Sequence, residues 1–278
     1  MALRLLKSNN KGSRKIFCEP LRVNGNDMKD KRRKLTRICI LHYVKLLYRS
    51  LLLLVAVVIY AIGKIRNLGE PFSGLEKEFW ILGVIWLVYV TEMACRFFPS
   101  GLESPGCQKQ FKKNYIPTGE NQPQLQSRKR TFAVVVAWIA LNGMIGILYY
   151  TGWIDQGVLI LISLAYGVCD MICILFFCPF QTWFMKNRCC TTCRIYNWDF
   201  AMMFTPFVFV PGVYTWSLLG LSLLLLLRWE LTVRRHPERF SEKTNACLSC
   251  KNCGEKLCHH KKQLKGFLKK NKERFHIR

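Results

Sequence analysis

Acidic residues are scarce in this chain: 17 Asp and Glu stand against 42 Lys and Arg in 278 residues, a formal net charge of +25. A water-soluble basic protein can carry such a charge, but not usually together with several long charge-free runs. Histidine is scarcer still. The five residues His42, His236, His259, His260 and His276 all fall outside the confident apolar spans, which disfavours haem held between facing helices. HExxH, GxSxG and GxxxxGK[ST] patterns are missing, weakening an enzymatic reading. No cleavable signal peptide is evident, because Met1–Lys7 is interrupted by charge and the first apolar run begins far into the chain. No internal repeat supports an inverted-repeat transporter. Collagen, coiled coil and small disulfide-rich secreted domains are excluded.

Half of the residues (51%) are hydrophobic, and they occur in blocks. The sequence predicts an all-α polytopic integral membrane protein with four spans at about 43–63, 79–98, 132–150 and 157–178. Each is near the ~20 residues needed to cross the hydrocarbon core. A fifth stretch, Phe200–Leu227, is free of charge over 28 residues but contains Pro206 and Pro211-Gly212. It reads as a hairpin turning at Pro211-Gly212 or as one kinked span. Basic arm 1–42, transmembrane domain 43–227 with its hydrophilic loop 96–131, and the Cys-rich tail 228–278 complete the organisation.

The basic residues are unevenly placed. Residues 1–42 hold 12, segment 96–131 holds seven and 228–278 holds 15, whereas 151–156 holds none and 64–78 holds three. This is the positive-inside pattern, and it predicts a plasma-membrane protein with both termini cytoplasmic. A hairpin at 200–227 agrees with it, since a fifth span would export the basic tail. The polybasic arms suit anionic lipid headgroups better than nucleic acid.

Chemistry concentrates in the tail, where Cys247, Cys250, Cys253 and Cys258 place four thiols in twelve residues, followed by His259. A second group, Cys189, Cys190 and Cys193, follows the fourth span. Cytoplasmic thiols are mostly reduced, so metal ligation outranks disulfides. A structural zinc site built from both groups is the first expectation. The run Cys247, Cys250, Cys253 also resembles the C-x2-C-x2-C run of bacterial ferredoxins, which implies a [4Fe–4S] cluster and a redox partner in the membrane. The run departs from that pattern in the spacing to Cys258 and in having His259 where proline is expected. Solvated, redox-active or palmitoylated thiols form the remaining alternative.

Inside the fourth span, Asp170 lies between Cys169 and Cys173. Intramembrane carboxylates mark ion paths by default, so a small ion or metal transporter is the third functional expectation. The plainer reading pairs Asp170 with a neighbouring helix, with Asn142 as the candidate partner. Glu92 and Arg96, four apart, are expected to pair locally. Arg228–Phe240 reads as interface anchoring around Trp229, or, with Trp198 and Asp199, as the surround of an anionic headgroup.

Overall fold

A computed structural model describes residues 37–66, 79–99, 105–187 and 189–249. Among these residues the elements are helices and turns, with one isolated bridge between Pro117 and Asn245. The principal helices are α1 (Arg37–Ile65), α2 (Phe79–Phe97), α3 (Arg128–Tyr150), α4 (Gln156–Leu175), the short α5 (Asp199–Phe204) and α6 (Val213–Arg235).

Among the described residues, four helices are long and apolar enough to cross a membrane: Ile38–Ile65, Arg128–Tyr150, Gln156–Leu175 and Val213–Arg235. Much of their apolar surface faces outwards. Leu47 is 72% exposed and Leu54 61%, as suits helices solvated by lipid rather than water. The expected spans 43–63, 132–150 and 157–178 correspond to α1, α3 and α4. The fourth of these long helices is the second half of the 200–227 stretch, while the expected span 79–98 forms the 19-residue α2. Helix α1 also starts earlier than its apolar run does. His42, Lys45 and Arg49 recur at helical spacing with Ile38 and form a buried stripe.

The broken stretch has a physical logic. Its first part, α5 and a 3-10 turn over Thr205–Phe209, is about 19 Å long. Phe200, Met203, Phe204 and Phe207 from this arm are buried against Tyr89 and Met93 of α2 and Leu218 and Leu225 of α6. Proline at 206 supplies no N–H to the preceding turn, and the Ser163 hydroxyl of α4 donates to the Met203 carbonyl at 2.8 Å. Thr215 secures the turn, donating to the Val210 carbonyl at 2.8 Å. The arm approaches α3 so closely that a Cβ on Gly146 would meet the Phe209 ring at 2.5 Å. Helix α6 then returns alongside the arm. Arg194 and Trp198, just before α5, reach Glu230 near the end of α6 at 2.7 Å each. The two ends of the 200–227 stretch therefore lie side by side.

Short connections follow from local chemistry. Helix α3 ends in a Schellman motif: Trp153 N–H donates to Leu148 O and Gly152 N–H to Tyr149 O, both at 3.0 Å, with Gly152 at φ +77°. Asp155 then caps α4, accepting from the Val158 N–H at 3.0 Å. It also pairs with Lys64 at 2.7 Å and accepts from the Tyr60 hydroxyl at 3.1 Å, tying α4 to α1. Part of loop 96–131 folds inward, while most of residues 117–130 stay exposed. Gln108, Lys109 and Gln110 are buried, and backbone bonds join Ala246 to Ile116 and Thr118 to Thr244.

Two outcomes follow. Ser163→Ala strips the Met203 carbonyl of its donor and is expected to cost about 1 kcal/mol by thermal unfolding in detergent; an unchanged midpoint would show the carbonyl is satisfied otherwise. Partial burial pushes the Asp155 carboxyl up, but Lys64, the Val158 N–H and the Tyr60 hydroxyl together hold it below the usual range. Its charge therefore contributes stability above the ordinary Asp pKa, and loses it as pH falls through the lowered value. Asp155→Asn keeps a cap but removes the charge. It should cost about 0.5 kcal/mol at pH 7 after discounting for solvent screening, a deficit that closes as acid protonates the wild type.

Candidate functional site

The residues with the most chemistry inside the helices are six charged side chains on four of them. Arg49 of α1 is 2% exposed. One arm of its guanidinium, Nη2, reaches Glu92 Oε2 of α2 at 2.5 Å. The other, Nη1, donates to the Gly167 carbonyl at 3.0 Å and to Asp170 Oδ2 at 3.3 Å, both on α4. Glu92 is further held by the Tyr48 hydroxyl at 2.5 Å and by the Lys45 ammonium at 3.4 Å. One helical turn along α2, Arg96 grips Asp199 at the start of α5 with two contacts, 2.7 and 2.5 Å. Its guanidinium lies over the rings of Phe200 and Tyr196 at 5.0 and 5.7 Å, and Arg49 lies over Tyr89 at 5.6 Å.

The planar guanidinium fork makes this arrangement possible. It holds a carboxylate by two parallel bonds and tolerates an aromatic face, which an ammonium does less well. Among the described residues, three cations (Lys45, Arg49, Arg96) and three carboxylates (Glu92, Asp170, Asp199) form a lattice of balanced charge tying α1, α2, α4 and α5 together. Asp170 thus has a helix partner, but it is Arg49 rather than Asn142. Asn142 is buried and donates to its own Trp138 carbonyl at 3.0 Å. Glu92 and Arg96 both reach across to other helices. Lys45, Tyr48 and Arg49 were not singled out from the sequence, and Asp199 only beside Trp198 as the surround of an anionic headgroup. The usable signal was the spacing of His42, Lys45 and Arg49 on one face of an otherwise apolar helix.

Among the described residues the cysteines form no single ligand set. Cys169 is exposed on α4, and Cys173 and Cys178 are half-buried hydrogen-bond partners. Cys190 donates to Gln181 Oε1 at 3.0 Å, and Cys189 lies 3.0 Å from the Thr191 hydroxyl. Cys193 packs with Val134, Met185 and Ile195. Burial pushes its thiol up to about 12, against the opposing pull of the Ile195 N–H, so it is protonated at neutral pH and a poor donor until a metal displaces the proton. Cys247 is fully buried in a separate cluster with Ile38 and Ile116, and it is disulfide-bonded. Among the described residues, no three His, Cys, Asp or Glu side chains converge as a metal site. Cys250, Cys253, Cys258 and His259 lie outside the described residues.

Trp229, expected at the membrane interface, is instead buried between Phe111 and Phe240, with ring centroids 5.2 and 6.1 Å away. Loop 96–131 folds over that side of α6 and covers it. Trp198 and Asp199 are committed to Glu230 and Arg96 rather than to an open anion site.

Removing one member of a buried ion pair leaves the other desolvated and unmatched. Arg49→Met is therefore expected to destabilise by about 3–5 kcal/mol. Adding Asp170→Asn to it leaves Lys45 paired with Glu92 and Arg96 with Asp199, and should recover much of that loss. Wild-type thermal stability in the single variant would mean that the lattice does not hold the helices.

No protein-family model, curated protein or solved structure matches the chain.

Proposed function

We propose that this chain is a polytopic plasma-membrane protein with a structural or regulatory task, both termini in the cytoplasm, and a tail that ligates zinc when reduced. One observation carries the first part of this reading: among the described residues, three cations and three carboxylates are paired between four helices. Such a lattice suits a clamp. The basic tail and the side-by-side ends of the 200–227 stretch support a cytoplasmic C-terminus through the positive-inside rule.

The zinc reading rests on the density of tail thiols and on His259. A sulfur in a disulfide offers no thiolate, so Cys247 can join Cys250, Cys253 and Cys258 as a ligand only after reduction. Cys189, Cys190 and Cys193 would have to leave their present partners to contribute. An iron–sulfur cluster is the alternative for the same thiols. Small-ion transport through Asp170 is a second reading, favoured by its looser hold: Arg49 is 3.3 Å away, against 2.5 Å for Glu92, and the Asp170 side chain is 17% exposed.

Reduced protein purified anaerobically is expected to be colourless and to carry about one zinc per chain. Brown protein with iron and sulfide would replace that reading with the redox one, and protein free of both metals would end both. Proteoliposomes are expected to pass protons and small cations no faster than empty vesicles. Flux that Asp170→Asn abolishes in a folded protein would make the chain a transporter instead. An epitope at residue 278 reached by antibody only after cells are permeabilised fits the proposed orientation; labelling of intact cells contradicts it.

A further inference from the structure

The end of α6 carries a feature that the lattice does not use. An open groove of about 480 Å³ is lined by Leu224, Leu227 and Leu231 and by Arg228, Arg235 and Arg239, with Thr232 and His236. Positions 224, 227, 228, 231, 232 and 235 fall on one face of the helix. The face changes character along its length. Leu224 and Leu227 are 58% and 55% exposed and continue the lipid-facing surface of the span, and the arginines follow within one to three turns. Arg228 and Arg235 have no carboxylate within ion-pair distance among the described residues. Arg228 lies over Phe97 at 5.3 Å and Phe98 at 6.0 Å, which positions the guanidinium without neutralising it. The acid beside the groove is Glu238, 3.1 Å from His236 and 4.0 Å from Arg239.

We propose that this groove binds the headgroup of an anionic glycerophospholipid, with the phosphate held between Arg228, Arg235 and Arg239 and one acyl chain lying along Leu224 and Leu227. The argument is the order of the two chemistries on one stripe. An acyl chain needs apolar surface at hydrocarbon depth, and its phosphodiester needs guanidinium forks at the level where the helix leaves it. A soluble anion would have no use for the exposed leucines. A protein helix docking on them would have to cover exposed arginines that have no acid to meet. The carbonyl end of α6 opposes an anion, but that half charge is outweighed by three guanidiniums. The inference rests on α6 being a bilayer helix and is independent of the metal and transport readings.

The test uses full-length protein in neutral detergent, with retained lipid counted by native mass spectrometry after titration with phosphatidylglycerol or phosphatidylcholine. Phosphatidylglycerol is expected to be retained and phosphatidylcholine lost. R228Q/R235Q should weaken phosphatidylglycerol binding by about tenfold or more, as expected for two arginines near a charged headgroup. R234Q removes a charge from a different face of the same helix and should change it by less than about twofold. Because Arg228 also touches Phe97 and Phe98, a second variant, Thr232→Trp, obstructs the groove while keeping every charge, and it should weaken binding comparably. Equal retention of the two lipids, an equal effect of R234Q, or full binding by folded Thr232→Trp would overturn the proposal. Displacement of the lipid by millimolar inorganic phosphate would reassign the groove to a free anion.

Discussion

A guanidinium taken out of water must be matched where it is buried, and Arg49 is the group on which this bundle turns. Its two arms bind a carboxylate on α2 and a carboxylate and carbonyl on α4. The positions of three helices are therefore linked through one side chain. In lipid, where apolar surface gives helices little reason to prefer each other over acyl chains, such polar contacts and close packing carry association. Arg96 repeats the device one turn along, where the chain enters the short arm.

That arm is the second constraint. A segment of 11 residues that passes from α-helix into a 3-10 turn could not remain buried if its carbonyls went unanswered. Ser163 and Thr215 answer two of them, and Trp138 donates to the Thr205 hydroxyl at 3.1 Å. The aromatic side chains of the arm then form the centre of the molecule, with the long helices arranged round it. The most irregular backbone in the apolar region is thus also among the best covered. The clamp of Arg194 and Trp198 on Glu230 closes the base of this unit, near the groove at the end of α6.

Some of this was legible in the residues. Helix type and approximate length follow from the apolar runs at 43–63, 132–150 and 157–178, and the break at Pro211-Gly212 follows from proline chemistry. Asp170 stood out because a carboxylate in an apolar helix is costly without a partner. Its partner did not. Arg49 sits near one end of its apolar run, where lysines and arginines ordinarily snorkel to the interface, so its sequence context resembles that of any flanking charge. The local pairing of Glu92 with Arg96 was the economical expectation from their spacing, but stronger partners come from helices 43 and 103 residues away. Trp229 carries the composition of an interface anchor, and its burial depends on a loop more than a hundred residues upstream.

Composition and periodicity alone determined that the chain is helical, that several of its helices can lie in a bilayer, and that its charge gathers at the ends, because backbone satisfaction and the transfer of apolar surface are properties of short segments. Which charge meets which, and which faces turn inward, was decided only by the tertiary structure. The same holds for the separation of Cys193 and Cys247 into different clusters. Pairing across helices depends on depth and rotation, and these are set by packing among segments that no local stretch of sequence contains.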